Sequence, residues 1–133
     1  MQLGCAMLFV KDFARMREFY ERLLQTSPVN TQWTDSYALF NAGGAQFALH
    51  AIPEAAARGI EVSTPPRPRE QGAFKLIYCV DDIAAESARL ESLGVPLLHR
   101  EWQNPEESTD AVDPEGNVFQ ITASALWRSG AEV

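Results

Sequence analysis

An α+β fold made of two copies of one strand–helix–strand module is what the sequence predicts, and three observations carry that prediction. The first is an internal repeat: residues 6–13 read Ala-Met-Leu-Phe-Val-Lys-Asp-Phe and residues 76–83 read Leu-Ile-Tyr-Cys-Val-Asp-Asp-Ile. Each is followed by apolar side chains at helical spacing. The second is a turn, Asp113-Pro114-Glu115-Gly116-Asn117, set between the apolar stretches 111–112 and 118–122. Proline at its first corner followed by Gly-Asn makes it the strongest turn signal in the chain. The third is size. With 133 residues, 46% hydrophobic and 22% charged, the chain can bury one core and is too short for two ordinary domains.

The elements follow in order. The run before Val10 and the run before Val80 are short and bulky, which suits strands buried on both faces. Asp12 and Asp82 then stand where a short carboxylate caps a helix. The first helix is predicted over residues 13–25, with Phe19 and Leu23 inside, Arg15, Arg17, Glu18 and Arg22 outside, and Pro28 closing it. The second is predicted over 83–93, with Gly94 as left-handed cap and Pro96 beyond. After each helix come strands: 37–40 and 46–50 joined by a glycine turn, then 111–112 and 118–122 joined by the turn at 113–117. Residues 53–72 hold Gly59, Pro65, Pro66 and Pro68 and read as an exposed connection, with a lid as the alternative. The expected organisation is a single domain over 1–133, with module one at about 3–52, a linker at about 53–72 and module two at about 73–123.

Eleven basic against eighteen acidic residues give a net charge of −7 with no basic cluster, so phosphate backbones are repelled and nucleic acid is excluded as a partner. No apolar run approaches the roughly 18 residues that cross a bilayer, and the N-terminus lacks the pattern of a secretion signal. No membrane partner and a cytoplasmic location are therefore expected. Cys5 and Cys79 lie in apolar runs without metal-type spacing and read as two buried thiols.

The duplicated strand–helix–three-strand pattern, with Val-x-Asp before each helix and Asp-Pro-Glu-Gly-Asn before the last strand, resembles the vicinal oxygen chelate superfamily. That group holds glyoxalases, bleomycin-resistance proteins and extradiol dioxygenases. The similarity spans roughly residues 3–123 and implies two βαβββ modules forming a curved mixed sheet around one pocket, commonly in a homodimer. In metal-dependent members the ligands come from the first and last strands of each half. By register those positions here are Cys5, Ala48, Lys75 and Gln120, with His50 replacing Ala48 if the closing strand shifts by two. A methyl has no donor atom and an ammonium has no lone pair, so the set argues against a divalent ion; no metal and no cofactor are expected. His99 and Glu101, sharing a face of the sixth strand, could build an unconventional metal site together with Cys5 or His50.

Strand alternation extends the resemblance to a pocket lining. Cys5, Met7 and Phe9, then Ala48 and His50, then Lys75 and Ile77, then Gln120 and Thr122 fall on the implied concave side, with Trp33, Tyr37 and Trp102 as aromatic walls. Such a cup is largely apolar with a few orienting polar groups, as small-molecule sites are. Lys75, the candidate catalytic residue, is one of two lysines in the chain. In an apolar strand it pairs with an acid, meets a ligand anion or snorkels to the rim. Two functions follow: a small-molecule-binding protein of the bleomycin-resistance type with a metal-free apolar pocket, or a related lyase, isomerase or dioxygenase acting on a small carbonyl or aromatic compound through Lys75 or an unconventional metal. The fold alone does not choose between them.

Overall fold

The computed structural model describes residues 1–128, which form two compact units, Met1–Val62 and the stretch from Ser63 onward. The first unit contains β1 (Cys5–Val10), α1 (Phe13–Leu24), β2 (Tyr37–Asn41), β3 (Gln46–Ala51) and a single helical turn, α2 (Glu54–Ala57). Its sheet runs β1-β3-β2, with β1 parallel and β2 antiparallel to β3. A parallel pair needs a crossover, which α1 supplies. The Asp12 carboxylate caps α1 by accepting from the Arg15 N–H at 3.2 Å, and Met16, Tyr20 and Leu23 form its buried stripe. The helix ends before Pro28: Gln25 adopts a left-handed conformation (φ 52°) and terminates it three residues earlier. Tyr20 packs on Phe47 of β3, ring centres 4.7 Å apart, over buried Phe40 and Leu49.

The second unit contains β4 (Leu76–Cys79), α3 (Ile83–Ser92), β5 (Leu97–Leu98), β6 (Ser108–Val112), β7 (Val118–Thr122) and a 3-10 turn (Ala125–Trp127). The order β4-β7-β6-β5, with β4 parallel to β7, repeats the topology of the first unit and adds one edge strand. Asp82 caps α3 through the Ala85 N–H at 3.0 Å, Ile83 and Leu90 are buried, and Gly94 takes φ 75° just past the helix end. In the first unit the matching edge position is filled differently. Among the described residues only the Val29 backbone N–H reaches β2 there, at Leu39 O (2.7 Å), and the Asn30 side chain completes the pairing by donating to Tyr37 O and accepting from the Leu39 N–H, both at 2.9 Å. A side-chain amide here does what a strand backbone does elsewhere.

The linker divides between the units. Residues up to Ile60 stay with the first, where the Lys11 ammonium donates to Ile60 O at 2.5 Å. Residues 67–69 lie on the 113–117 turn of the second, with the Arg69 N–H donating to Gly116 O at 2.8 Å. The thiols differ from expectation: Cys5 is half-buried and Cys79 exposed, because both point away from the helix that covers the other face of their sheet. Among the described residues no helix is long and apolar enough to cross a membrane.

Tyr78 packs edge-on against Phe119 (5.8 Å), and its buried hydroxyl has no hydrogen-bond partner. Burial foremost, then the Asp113 carboxylate, pushes its ionisation above the ordinary value of 10. Tyr78→Phe removes an unsatisfied group and is expected to leave stability at neutral pH unchanged or to raise it by up to about 1 kcal/mol. Above pH ~10 the unfolded parent ionises this phenol while the folded one keeps its proton, so the parent loses stability as pH rises and the variant is spared that share. Urea unfolding at neutral pH and near pH ~10.5 checks both signs; a clear loss at neutral pH would show that the hydroxyl has a partner after all.

Candidate functional site

The sheet face away from each helix carries most of the residues singled out from sequence, and the strand register brings them into rows. In the first unit Cys5, Gln46 and Asn41 form one row, Met7, Ala48 and Leu39 the next, and Phe9, His50 and Tyr37 the third. Ala48 is fully buried, while Met7 and Phe9 are 46% and 60% exposed. His50 sits between Phe9 (5.6 Å) and Tyr37 (6.2 Å), and its Nδ1 lies 2.8 Å from Ala51 O, which leaves Nε2 as the other polar atom of the ring. Trp33 stands apart from these rows, exposed at a turn with φ 56°.

In the second unit Ile77, Gln120 and Asp110 form the central row, with Leu98 beyond. Gln120 thus stands to Ile77 as Ala48 stands to Met7, and Thr122 is the counterpart of His50. The Thr122 hydroxyl is already engaged, donating to Glu107 O and accepting from the Ser124 N–H, each at 3.1 Å. His99 and Glu101 do not share a strand face: β5 stops at Leu98, and the chain turns there to return to β6.

The chemistry gathers around Asp110, which sequence reasoning missed. This carboxylate is fully buried, a costly position unless every lone pair is met. Lys75 donates to both of its oxygens (3.0 and 2.9 Å), Gln103 Nε2 to Oδ1 (3.1 Å) and Arg100 Nε to Oδ2 (3.2 Å). Arg100 then turns its two terminal nitrogens to Glu70, at 3.0 and 2.8 Å. Glu70 first, then Asp110, hold the Arg100 guanidinium protonated more firmly than usual. The Lys75 ammonium lies 5.2 Å from the centre of the Trp102 ring, a cation–π placement. Lys75 therefore meets two of the fates open to it: it pairs with an acid, and its side chain stays one-third exposed.

Glu70, Lys75, Arg100, Trp102 and Asp110 line a cavity of about 210 Å³ together with Arg69, Gly72, Phe74 and Val118. Of the expected site residues Lys75 and Trp102 line it, while Ile77 and Gln120 lie in the row that passes through Asp110. Asp110 was within reach of the sequence. A hairpin closed by residues 113 and 117 pairs 112 with 118 and so 110 with 120, which places a carboxylate directly opposite Gln120. Arg100, Gln103 and Glu70 come from irregular segments, and no periodic pattern points to them. Among the described residues no three His, Cys, Asp or Glu side chains converge as a metal site would require.

A glyoxalase-like domain family model matches residues 5–122. Comparison with curated proteins finds no match. Among solved structures the chain is similar to the fosfomycin resistance protein FosX from Mesorhizobium loti, at 17% identity over 94% of this chain and 93% of that one, with TM-score 0.67. FosX from Listeria monocytogenes complexed with Mn(II) and sulfate ion matches at 15% identity over 95% and 91%, TM-score 0.67. Lactoylglutathione lyase from Agrobacterium tumefaciens matches at 22% identity over 95% and 96%, TM-score 0.64. With the repeated topology, the Val-x-Asp helix entries and a family match over residues 5–122, the chain belongs to the glyoxalase-like domain family of the vicinal oxygen chelate superfamily.

Proposed function

We propose that this protein binds a small molecule without a metal ion, placing a carbonyl or anionic oxygen of the ligand against Lys75 and a planar apolar part against Trp102. The observation that carries this reading is the Lys75 ammonium, held by a fully buried Asp110 at the wall of a cavity and set over an indole. An ammonium has three N–H donors; one remaining donor and its positive charge are what Lys75 can offer a ligand. In a partly desolvated site that interaction is stronger than in water. On the first unit Phe9, Tyr37 and His50 form an aromatic cluster beside exposed Met7, a separate surface on which an apolar group can rest.

The enzyme reading is favoured by the neighbours, one named a lyase and another complexed with Mn(II). The donor chemistry here does not fit that ion. Ala48 offers a buried methyl, Lys75 is committed as a donor to Asp110, and of Cys5 and Gln120 the first is a soft thiol and the second a weak neutral oxygen. Binding is therefore the conclusion, with a homodimer as the proposed assembly.

Native mass spectrometry of freshly purified protein reports bound molecules, metal and oligomeric state together; about one equivalent of a divalent metal per chain would overturn the metal-free reading. Two probes that share a ring, benzamide and benzoate, test the site by NMR titration of the Trp102 indole N–H. Lys75→Met keeps much of the stem and removes the charge, and affinity for both probes is expected to fall by on the order of tenfold. Equal binding by parent and variant would remove Lys75 from the site and this reading with it.

A further inference from the structure

Resting on that reading, we infer that the ligand is a small planar carboxylate and that Glu70 is a built-in competitor occupying the seat of its carboxylate. Three cationic side chains, Arg69, Lys75 and Arg100, and two carboxylates, Glu70 and Asp110, line the cavity. The local balance is net positive in a chain of net charge −7. The wall thus runs against the field of the rest of the protein and favours an anion.

The two carboxylates are not equivalent. Asp110 lies on β6 with 1% of its side chain exposed and four donor contacts, so it belongs to the framework. Glu70 lies on an irregular segment, is 54% exposed, and has Arg100 as its hydrogen-bond partner. Arg100 is anchored from behind through Nε to Asp110, which aims its outer edge, the two terminal nitrogens, at Glu70. That edge is a fork matched to a carboxylate, and it keeps its direction if Glu70 leaves. A free carboxylate can take the same two N–H groups, while Glu70, itself 54% exposed, swings out into water and recovers hydration there.

What surrounds the fork sets the rest of the ligand. Lys75 and Arg69 stand beside it to meet a second oxygen, and the Trp102 and Phe74 rings flank it to cover a flat body. A cavity of about 210 Å³ is smaller than the sites that take drug-sized ligands, so the occupant is one ring or its equivalent. Arg69 fits this role, since its backbone is tied to Gly116 while, among the described residues, no hydrogen bond or ion pair engages its guanidinium.

The experiment uses the full chain and the same two probes. Glu70→Gln removes the competing charge and keeps the shape, and it is expected to tighten benzoate roughly three- to fivefold while leaving benzamide unchanged. Arg100→Lys keeps the charge and loses the fork, and it is expected to weaken benzoate about tenfold or more, with a smaller effect on benzamide. Benzoate binding that is unchanged or weaker in Glu70→Gln overturns the inference, as does tighter binding of both probes alike. If either result comes with a clear Lys75→Met effect on both probes, the binding function stands and only the competitor role falls. If Lys75→Met also changes nothing, both fall. Glu70 is exposed on a loop, so its variant folds whatever becomes of Arg100→Lys.

Discussion

Gly116→Ala is expected to lower the unfolding free energy by about 2–5 kcal/mol, because two separate penalties act on one methyl group. The backbone at Gly116 has φ 87°, a left-handed conformation that costs an L side chain roughly 1–2 kcal/mol. A Cβ built there would also sit 2.3 Å from the Arg67 carbonyl oxygen, far inside contact distance. That oxygen cannot retreat easily, since the same stretch is tied to the turn by the Arg69 N–H on Gly116 O. The turn itself is stiff: the buried Asp113 carboxylate accepts from the Glu115 N–H (3.0 Å), the Asn117 N–H (2.9 Å) and the Asn117 side chain (2.8 Å). Gly43→Ala is the control, with φ 78° and open space around its Cβ, so it incurs the first penalty alone. Denaturant unfolding of the two variants separates strain from collision. Equal losses would mean that residues 67–69 move away freely, and the proposed cavity, whose wall includes Arg69 and Glu70, would then be soft as well.

Asp110→Ala is expected to cost about 2–4 kcal/mol, somewhat below the usual range for breaking a buried pair. Lys75, Arg100 and Gln103 lose their common acceptor, and the two cations are left facing each other. The discount arises because Lys75 and Arg100 are 33% and 20% exposed and can recover water, whereas Asp110 itself has no such route. The reverse deletion, Lys75→Met, leaves a buried carboxylate with two of its three donor residues and is expected to cost less. A double-mutant cycle with Asp110→Ala and Lys75→Met checks this, with a coupling of about 1 kcal/mol or more expected for the pair. Additive losses would place Lys75 as a surface residue whose contact with Asp110 carries no weight.

Both variants bear on how much of this molecule can be read from its amino acids. The 113–117 turn was legible because proline, glycine and asparagine each fix a backbone angle or a hydrogen bond within five residues. The repeat was legible for a similar reason, since β1 ends at Val10 and β4 just before Val80, and Asp12 and Asp82 cap the next helix within the span of one turn. The end of α1 falls where the pattern puts it, at residues 24–25, but its cause is not proline: Gln25 takes a left-handed conformation that asparagine or glycine usually takes, and no residue type in that stretch announces it. The βαβββ resemblance implies a strand at the edge position beside β2, yet the Asn30 side chain takes over its bonds, and a side chain that imitates backbone leaves no period-two pattern to detect.

The site divides along the same line. That Cys5, Met7 and Phe9 share a face, and that Asp110 faces Gln120, follows from alternation and from one turn, both local quantities that the sequence determines by itself. That Lys75 reaches Asp110 across thirty-five positions, with Arg100 linking it to Glu70 thirty positions away, was settled only by the tertiary structure. The reason is physical. A buried carboxylate must find donors, but the sequence states only the demand; which loop side chains meet it depends on how residues 63–75 and 99–104 are laid beside β6, and that path is set by packing and by the single close approach at Gly116.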